Sequence, residues 1–278
     1  MNYLDLPLDS TIKYDIVCLH KSDHQYSMPF HKHTGFELEL YISGDINLIT
    51  DKLTYHMEPG FLTLIPPGVW HRTMTVHDVI PYERIVLNLK PNVIDQLSTS
   101  ETNLADCFYV NGKNDINILK LDAQQMSTYV SLCHQLIPII DASDYGSDIK
   151  RKALIAQIML IANTASPFNR PDKKNMIPSL IKQITEFVDL NLSGDLTLSA
   201  FSSHFFLTSA YINRYFKSYM GLPLHTYIIE KRLELAKELL ANGQSVSDTC
   251  IQCGFGNYSH FIRTFKAHVG VSPGHYHL

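Results

Sequence analysis

This chain of 278 residues has one tryptophan, five cysteines and only 18% charged residues. It contains no run of about 18 uncharged apolar residues, which excludes an obvious membrane-spanning helix. Met1-Asn2-Tyr3-Leu4-Asp5 lacks a basic stretch followed by an apolar one, so no secretory signal is read there and a cytoplasmic location is expected. Five cysteines, an odd number, argue against a disulfide framework and for a reducing compartment. Cys250-x-x-Cys253 has the spacing of a redox or zinc pair, but no second pair accompanies it. Both positions fall where a helix needs small buried side chains, and a core role is expected. Strong basic charge is also missing, since the formal net charge is −4. The two parts of the chain differ: residues 1–170 hold 13 Lys+Arg against 19 Asp+Glu (−6), and residues 171–278 hold 10 against 8 (+2). That balance permits contact with phosphates without arguing for it.

What the chain does have is an internal repeat. Arg214-x-Phe216-Lys217-x-x-x-Gly221 followed by Tyr227 recurs as Arg263-x-Phe265-Lys266-x-x-x-Gly270 followed by Tyr276, all five matches offset by 49 residues. Each copy parses as helix, tight turn, helix. In the second, Val246–Cys253 and Tyr258–Val269 flank Gly254-Phe255-Gly256, a turn suited to glycine. In the first, Leu198–His204 and Ser209–Met220 flank Phe205-Phe206-Leu207, with no glycine. Phe216 and Phe265 should point inward with Ile212 and Phe261. Asn213, Arg214 and Lys217 then face outward in one copy, and Ser259, Arg263 and Lys266 in the other. Arginine can donate two hydrogen bonds to guanine, and lysine neutralises phosphate. A merely solvated face would explain one such pair; its recurrence points to double-stranded DNA. Between the copies, Pro223 to Ala241 would span roughly 28 Å as a helix, against about 34 Å between successive turns of the major groove. Asn242-Gly243 supplies a left-handed stop.

These residues carry a resemblance. Arg214-Tyr215-Phe216-Lys217, Gly221-Leu222-Pro223, Tyr227, Arg232-Leu233, Ala236 and Leu239-Leu240 resemble the DNA-binding domain of the AraC/XylS regulators. So do Gly254-Phe255, Tyr258, Phe261, Phe265-Lys266, Gly270, Ser272-Pro273 and Tyr276. The resemblance implies base contacts from Ala210, Asn213 and Arg214, and from Tyr258, Ser259 and Arg263. It also implies a larger aliphatic residue where Thr249 stands, and hence a somewhat less stable second unit.

Before residue 110 the pattern is of strands: Tyr14–Leu19, Phe36–Ile42, Ile46–Thr50, Phe61–Ile65 and Arg84–Leu89, with alternation suited to half-buried strands. Two helical segments follow. Met126, Val130, Cys133 and Ile137 mark 122–140, with Asp122 as N-cap, and Ile149, Ala153, Ala156 and Leu160 mark 147–163. They could pack back on the strands or pair with another subunit. His31-x-His33-x-x-x-Glu37 with Gly44 resembles the first cupin motif, and Gly60…Pro66-x-Gly68-x-x-His71 the second, although Thr75 replaces the frequent asparagine. In metal-binding cupins the four matching positions (here His31, His33, Glu37 and His71) hold divalent manganese, iron, nickel or zinc.

Three readings stay open: a small-molecule site, also drawing on Tyr41, Trp70 and Arg84; a metal site, extending to a metal-dependent enzyme tethered to DNA; or satisfied polar groups without a ligand. The expected architecture is α+β with two domains. A cupin-like β-barrel with two appended helices spans 1–165 and a linker 166–179. An all-α twin helix-turn-helix spans 180–278, with units at 198–219 and 246–269. The expected function is a non-enzymatic transcription activator responding to a sugar or derivative. It would form a homodimer through residues 122–163 and, as an activator, would engage RNA polymerase.

Overall fold

The computed structural model describes residues 11, 13–24, 26, 28–50, 53–110, 113–168 and 178–276. The chain divides into two compact units, Met1–Met176 and Ile177–Leu278. The expected linker at 166–179 lies largely outside the described residues.

In the first unit, strands β1 (Ile16–Asp23), β2 (Phe36–Ser43), β3 (Asp45–Thr50), β4 (Thr54–His56), β5 (Phe61–Ile65), β6 (His71–His77) and β7 (Tyr82–Leu89) lead to a short helix α1 (Pro91–Asp95). Then come β8 (Tyr109–Val110), β9 (Lys113–Asn114), β10 (Asn117–Lys120), α2 (Ala123–Leu136), α3 (Ser147–Thr164) and β11 (Ser166–Pro167). The strands form a six-stranded sheet, β1-β7-β2-β5-β10-β11, a three-stranded sheet, β4-β3-β6, and a two-stranded pair, β8-β9, rather than one continuous hydrogen-bonded ring among the described residues. Residues 28–31 run alongside β6 through backbone bonds between Met28 and Thr73 (3.1 Å) and between His31 and His71 (2.9 Å each way). Ser166–Pro167 pairs with β10, so the start of the expected linker is used as an edge strand.

Side-chain alternation sorts residues onto two faces. From β2, Phe36, Leu38 and Leu40 join a core with Tyr129, Leu132, Cys133 and Leu136 of α2 and Leu154, Ile155, Ile158 and Met159 of α3. On the opposite face, Tyr41 packs with Ile46, Leu48, Phe61 and Ile118 between the sheets. Strand β2 is therefore buried on both faces, not half-buried, and Glu37 and Glu39 point inward with 6% and 9% exposure. Helix α2 starts in a capping box: Gln125 N–H donates to Asp122 Oδ1 (2.8 Å) and Asp122 N–H to Gln125 Oε1 (3.0 Å), satisfying two donors at a helix start. On α3 the expected stripe is not the buried one. Ile149 (64%) and Leu160 (46%) are exposed with Ala153, while the adjacent row fills the core.

The second unit is helical: α4 (Ser179–Leu190), α5 (Leu198–Phe205), α6 (Ser209–Met220), α7 (Leu224–Ala241), α8 (Val246–Gln252) and α9 (Tyr258–Val269). Local chemistry sets the ends. Thr197, Thr208, Ser245 and Asn257 each accept a backbone N–H at a helix start, and Gly221 and Gly270 close α6 and α9 in left-handed conformations (φ 77° and 89°), as helix caps favour. No described helix is long and apolar enough to cross a membrane.

Candidate nucleic-acid interface and effector site

Each helix pair, α5–α6 and α8–α9, is organised by a buried row on its second helix. Ile212, Phe216 and Met220 are 0% exposed on α6, as are Phe261 and Phe265 on α9. Residues opposite that row must face solvent, and Ala210, Arg214, Lys217, Tyr258, Ser259, Arg263 and Lys266 all do. None of the four cations among them forms an ion pair with another described residue. Asn213 differs: it is half-buried, and its Oδ1 accepts from the Leu224 N–H at 3.3 Å, fixing the start of α7.

The two turns solve one backbone problem in different ways. Phe206 holds φ 55° in the first copy and Gly254 holds φ 78° in the second. Counted from the N-cap of the preceding helix, Thr197 or Ser245, they occupy the same place. A Cβ on Gly254 would lie 2.3 Å from the Leu192 carbonyl oxygen and 3.0 Å from Arg232 Nε and Nη2. Arg232, from α7, donates to Leu192 O and Gly194 O at 3.0 Å each, so the second turn is locked against the chain ahead of α5. The cysteines of this unit are core groups. Cys250 and Cys253 are buried among Phe255, Phe261 and Phe265, their thiols donating to Phe255 O (3.6 Å) and Cys250 O (3.7 Å). Burial pushes the Cys253 thiol up to about 11.

In the first unit, the turn before β6 donates the Gly68 N–H to His33 O at 2.8 Å, setting the two motifs side by side. His31, His33 and His71 are buried, and each offers a ring nitrogen within 4.8 Å of the others. Nδ1–H of His31 donates to Pro29 O (2.9 Å) and that of His71 to Val69 O (3.0 Å). A carbonyl only accepts, so both Nδ1 atoms carry a proton, and in the neutral ring Nε2 is the lone-pair nitrogen. Glu37 closes the group, with Oε2 at 2.8 Å from His33 Nε2 and Oε1 at 3.8 Å from His71 Nε2. Asn88 Nδ2 donates to Glu37 Oε2 at 3.0 Å. Burial, then the neighbouring His31, holds the His71 pKa well below its ordinary value. Burial opposes ionisation of Glu37, but the adjacent His33 outweighs it and holds the carboxyl far down.

A neutral imidazole whose other nitrogen is anchored to a carbonyl, set beside an ionised carboxylate, is the donor arrangement of a divalent transition-metal site. The residues fit that group. Glu39, Tyr41, Ile46, Leu48, Met57, Thr63, Thr73 and Tyr82 line a separate narrow space between the sheets. The other expected ligand-binding residues have partners of their own. Tyr41 donates to Gly44 O. Arg84 pairs with Asp23 at 2.8 Å, its guanidinium lying 4.1 and 4.2 Å from the ring centres of Tyr26 and Tyr82. Trp70 stacks on Phe30 with centres 5.8 Å apart. Sequence reasoning missed Asn88 and Glu39. Burial, then Glu37, raises the Glu39 carboxyl to about 7, and Tyr82 donates to it.

Two family models match: an AraC-like ligand binding domain over residues 13–159 and a helix-turn-helix domain over residues 201–277. The probable transcriptional regulator LumQ of Photobacterium leiognathi is 28% identical over 192 residues, covering 63% of this chain and 75% of that protein. The HTH-type transcriptional activator AarP of Providencia stuartii is 34% identical over 101 residues, covering 36% of this chain and 75% of that protein. Among solved structures, an apo ToxT variant from Vibrio cholerae aligns over 95% of this chain and 97% of its own, with 15% identity and a TM-score of 0.40.

Proposed function

The chain belongs to the AraC-type family of DNA-binding transcription regulators with a ligand-binding domain, and from that premise we propose that it is an effector-controlled activator whose two reading helices are α6 and α9. The observation carrying this is the twofold exposure of an Arg and a Lys opposite a buried aromatic row. Arg214 and Arg263 read base edges, Lys217 and Lys266 hold phosphates, and Ala210, Tyr258 and Ser259 flank them. Helix α7, 18 residues long and so about 27 Å, connects the heads. AarP, itself an activator, supports the sign of regulation, which entails contact with RNA polymerase. The exposed Ile149, Ala153, Leu160 face of α3 suits a homodimer contact.

For the effector, a sugar or related metabolite remains the expectation from the family resemblance, bound by opening the space beside His31, His33, Glu37, Tyr41, His71 and Arg84. A divalent cation is the second reading, favoured by the preformed donor set. Bound there, the cation would supply a positive charge shared by three imidazoles and one carboxylate. His33 Nε2 would give up the proton it holds against Glu37, and residues of β2, β6 and the stretch before β2 would be tied together. In either case, a ligand preferring one state of the sensor shifts the equilibrium toward it.

The test is binding of the full chain to a DNA site selected from random duplexes. Arg214→Ala and Arg263→Ala should each weaken binding to that site by about 1–3 kcal/mol. Unchanged affinity in both variants, with folding intact, would remove the assignment of the reading helices.

A further inference from the structure

Helix α6 carries an exposed aromatic residue beside its arginine that the repeat pattern does not single out. At about 100° per residue, Arg214 lies about 160° from the buried Phe216 around the helix axis, Tyr211 about 140° and Asn213 only about 60°. Exposure agrees: Tyr211 is 40% exposed, while Asn213 is half-buried and holds the Leu224 N–H. The Tyr211 ring is also held in place. It stacks on Tyr215 one turn later, with ring centres 5.6 Å apart and planes at 9°. A side chain already ordered loses less freedom on binding than one that must be immobilised.

We infer that Tyr211, and not Asn213, is the second base-reading residue of the first head, its ring packing against a thymine methyl in the major groove next to the base pair read by Arg214. The three-residue separation corresponds to about 4.5 Å along the helix, near the 3.4 Å step of one strand. A flat apolar ring supported from behind offers a surface to the C5-methyl, which distinguishes T·A from the other pairs at that groove position. Shifting by the 49-residue repeat places His260 where Tyr211 stands. His260 is exposed and lies in the first turn of α9, its N–H donated to the N-cap Asn257 Oδ1 at 2.8 Å. The two heads therefore share an Arg and a Lys but present different rings, Tyr211 in one and His260 in the other. The proposal follows that the two half-sites have different sequences, so that one chain binds its site in a single orientation.

This rests on α6 being a reading helix, and the experiment separates the two claims. Full-length protein selects from a random duplex library, and base preferences are compared for the unaltered chain, Tyr211→Ala, Tyr211→Phe, Asn213→Ala and Arg214→Ala, with circular dichroism as the folding control. Tyr211→Ala should abolish a thymine preference of about tenfold at one position adjoining the position that Arg214→Ala relaxes. Tyr211→Phe should keep that preference, and Asn213→Ala should leave all base preferences in place. An unchanged profile in Tyr211→Ala would overturn the inference while leaving α6 in its role. So would a loss of affinity equal for all sequences, the signature of a phosphate contact. Loss of no preference in Arg214→Ala would overturn the reading-helix assignment itself.

Discussion

Replacing Gly254 with alanine should destabilise the second reading head while leaving the sensor unit intact. At φ 78° an L side chain costs roughly 1–2 kcal/mol. The new Cβ would sit 2.3 Å from Leu192 O and 3.0 Å from two nitrogens of Arg232, and the first of these is backbone that cannot rotate away. Relief requires separating the turn from Leu192 and Arg232, at the expense of at least one of the two 3.0 Å bonds Arg232 donates there. A hydrogen bond to a charged group contributes about 1.5–3 kcal/mol, so the total loss is about 2.5–5 kcal/mol. For a unit of this size that corresponds to about 10 °C or more in melting temperature.

Far-UV circular dichroism of the full chain follows the helices, and hydrogen exchange over residues 246–269 assigns the loss to this head. The matched control is Phe206→Gly. Phe206 has the same left-handed backbone (φ 55°) and is 92% exposed. Removing its side chain relieves roughly 1 kcal/mol of strain against a similar entropic cost of a new glycine, leaving stability within about 1 kcal/mol of the start. If Gly254→Ala were as mild as that control, close packing of Arg232 against the second turn would not be what requires glycine.

Three further outcomes are expected. Thr249 is fully buried with no hydrogen-bond partner for Oγ1 among the described residues, so the nearly isosteric Thr249→Val should raise stability in urea titration by about 1–2 kcal/mol; a loss would mean that the hydroxyl is satisfied in solution. If the sensor responds to a cation, chelator-stripped protein given zinc, nickel or manganese at about 100 times Kd should gain about 2.7 kcal/mol, and His71→Ala should erase the gain; a melting temperature that rises with sugars and with no metal would favour the organic effector. If α3 forms a homodimer contact, Ile149→Asp with Leu160→Asp should convert a dimer to a monomer in sedimentation without changing the melting of the sensor core, whereas an unaltered dimer would place the contact elsewhere.

The helical unit was legible residue by residue because its determinants are local. Caps such as Thr208 and Asn257 act on backbone three residues on, and the apolar period of Ile212, Phe216 and Met220 sets outward faces without knowledge of distant partners. Even there, the sequence pattern left Asn213 on the outer face. Helix geometry sets it only about 60° from Phe216, and the Leu224 N–H of α7, 11 residues away, holds it there. The four motif residues of the sensor could be named from their resemblance to the cupin motifs, but their surroundings could not. Glu37 meets Asn88 across 51 residues and Glu39 meets Tyr82 across 43, because antiparallel pairing joins strands far apart in the chain.

By itself, the order of amino acids determined where the helices start and stop, which rows they bury, and that two basic heads are carried on one chain. Tertiary structure alone decided that β2 is covered on both faces, that its two glutamates point between the sheets, and which stripe of α3 meets solvent. The physical reason is range: a helix satisfies its backbone within four residues, whereas a strand is completed by neighbours whose identity depends on the whole fold.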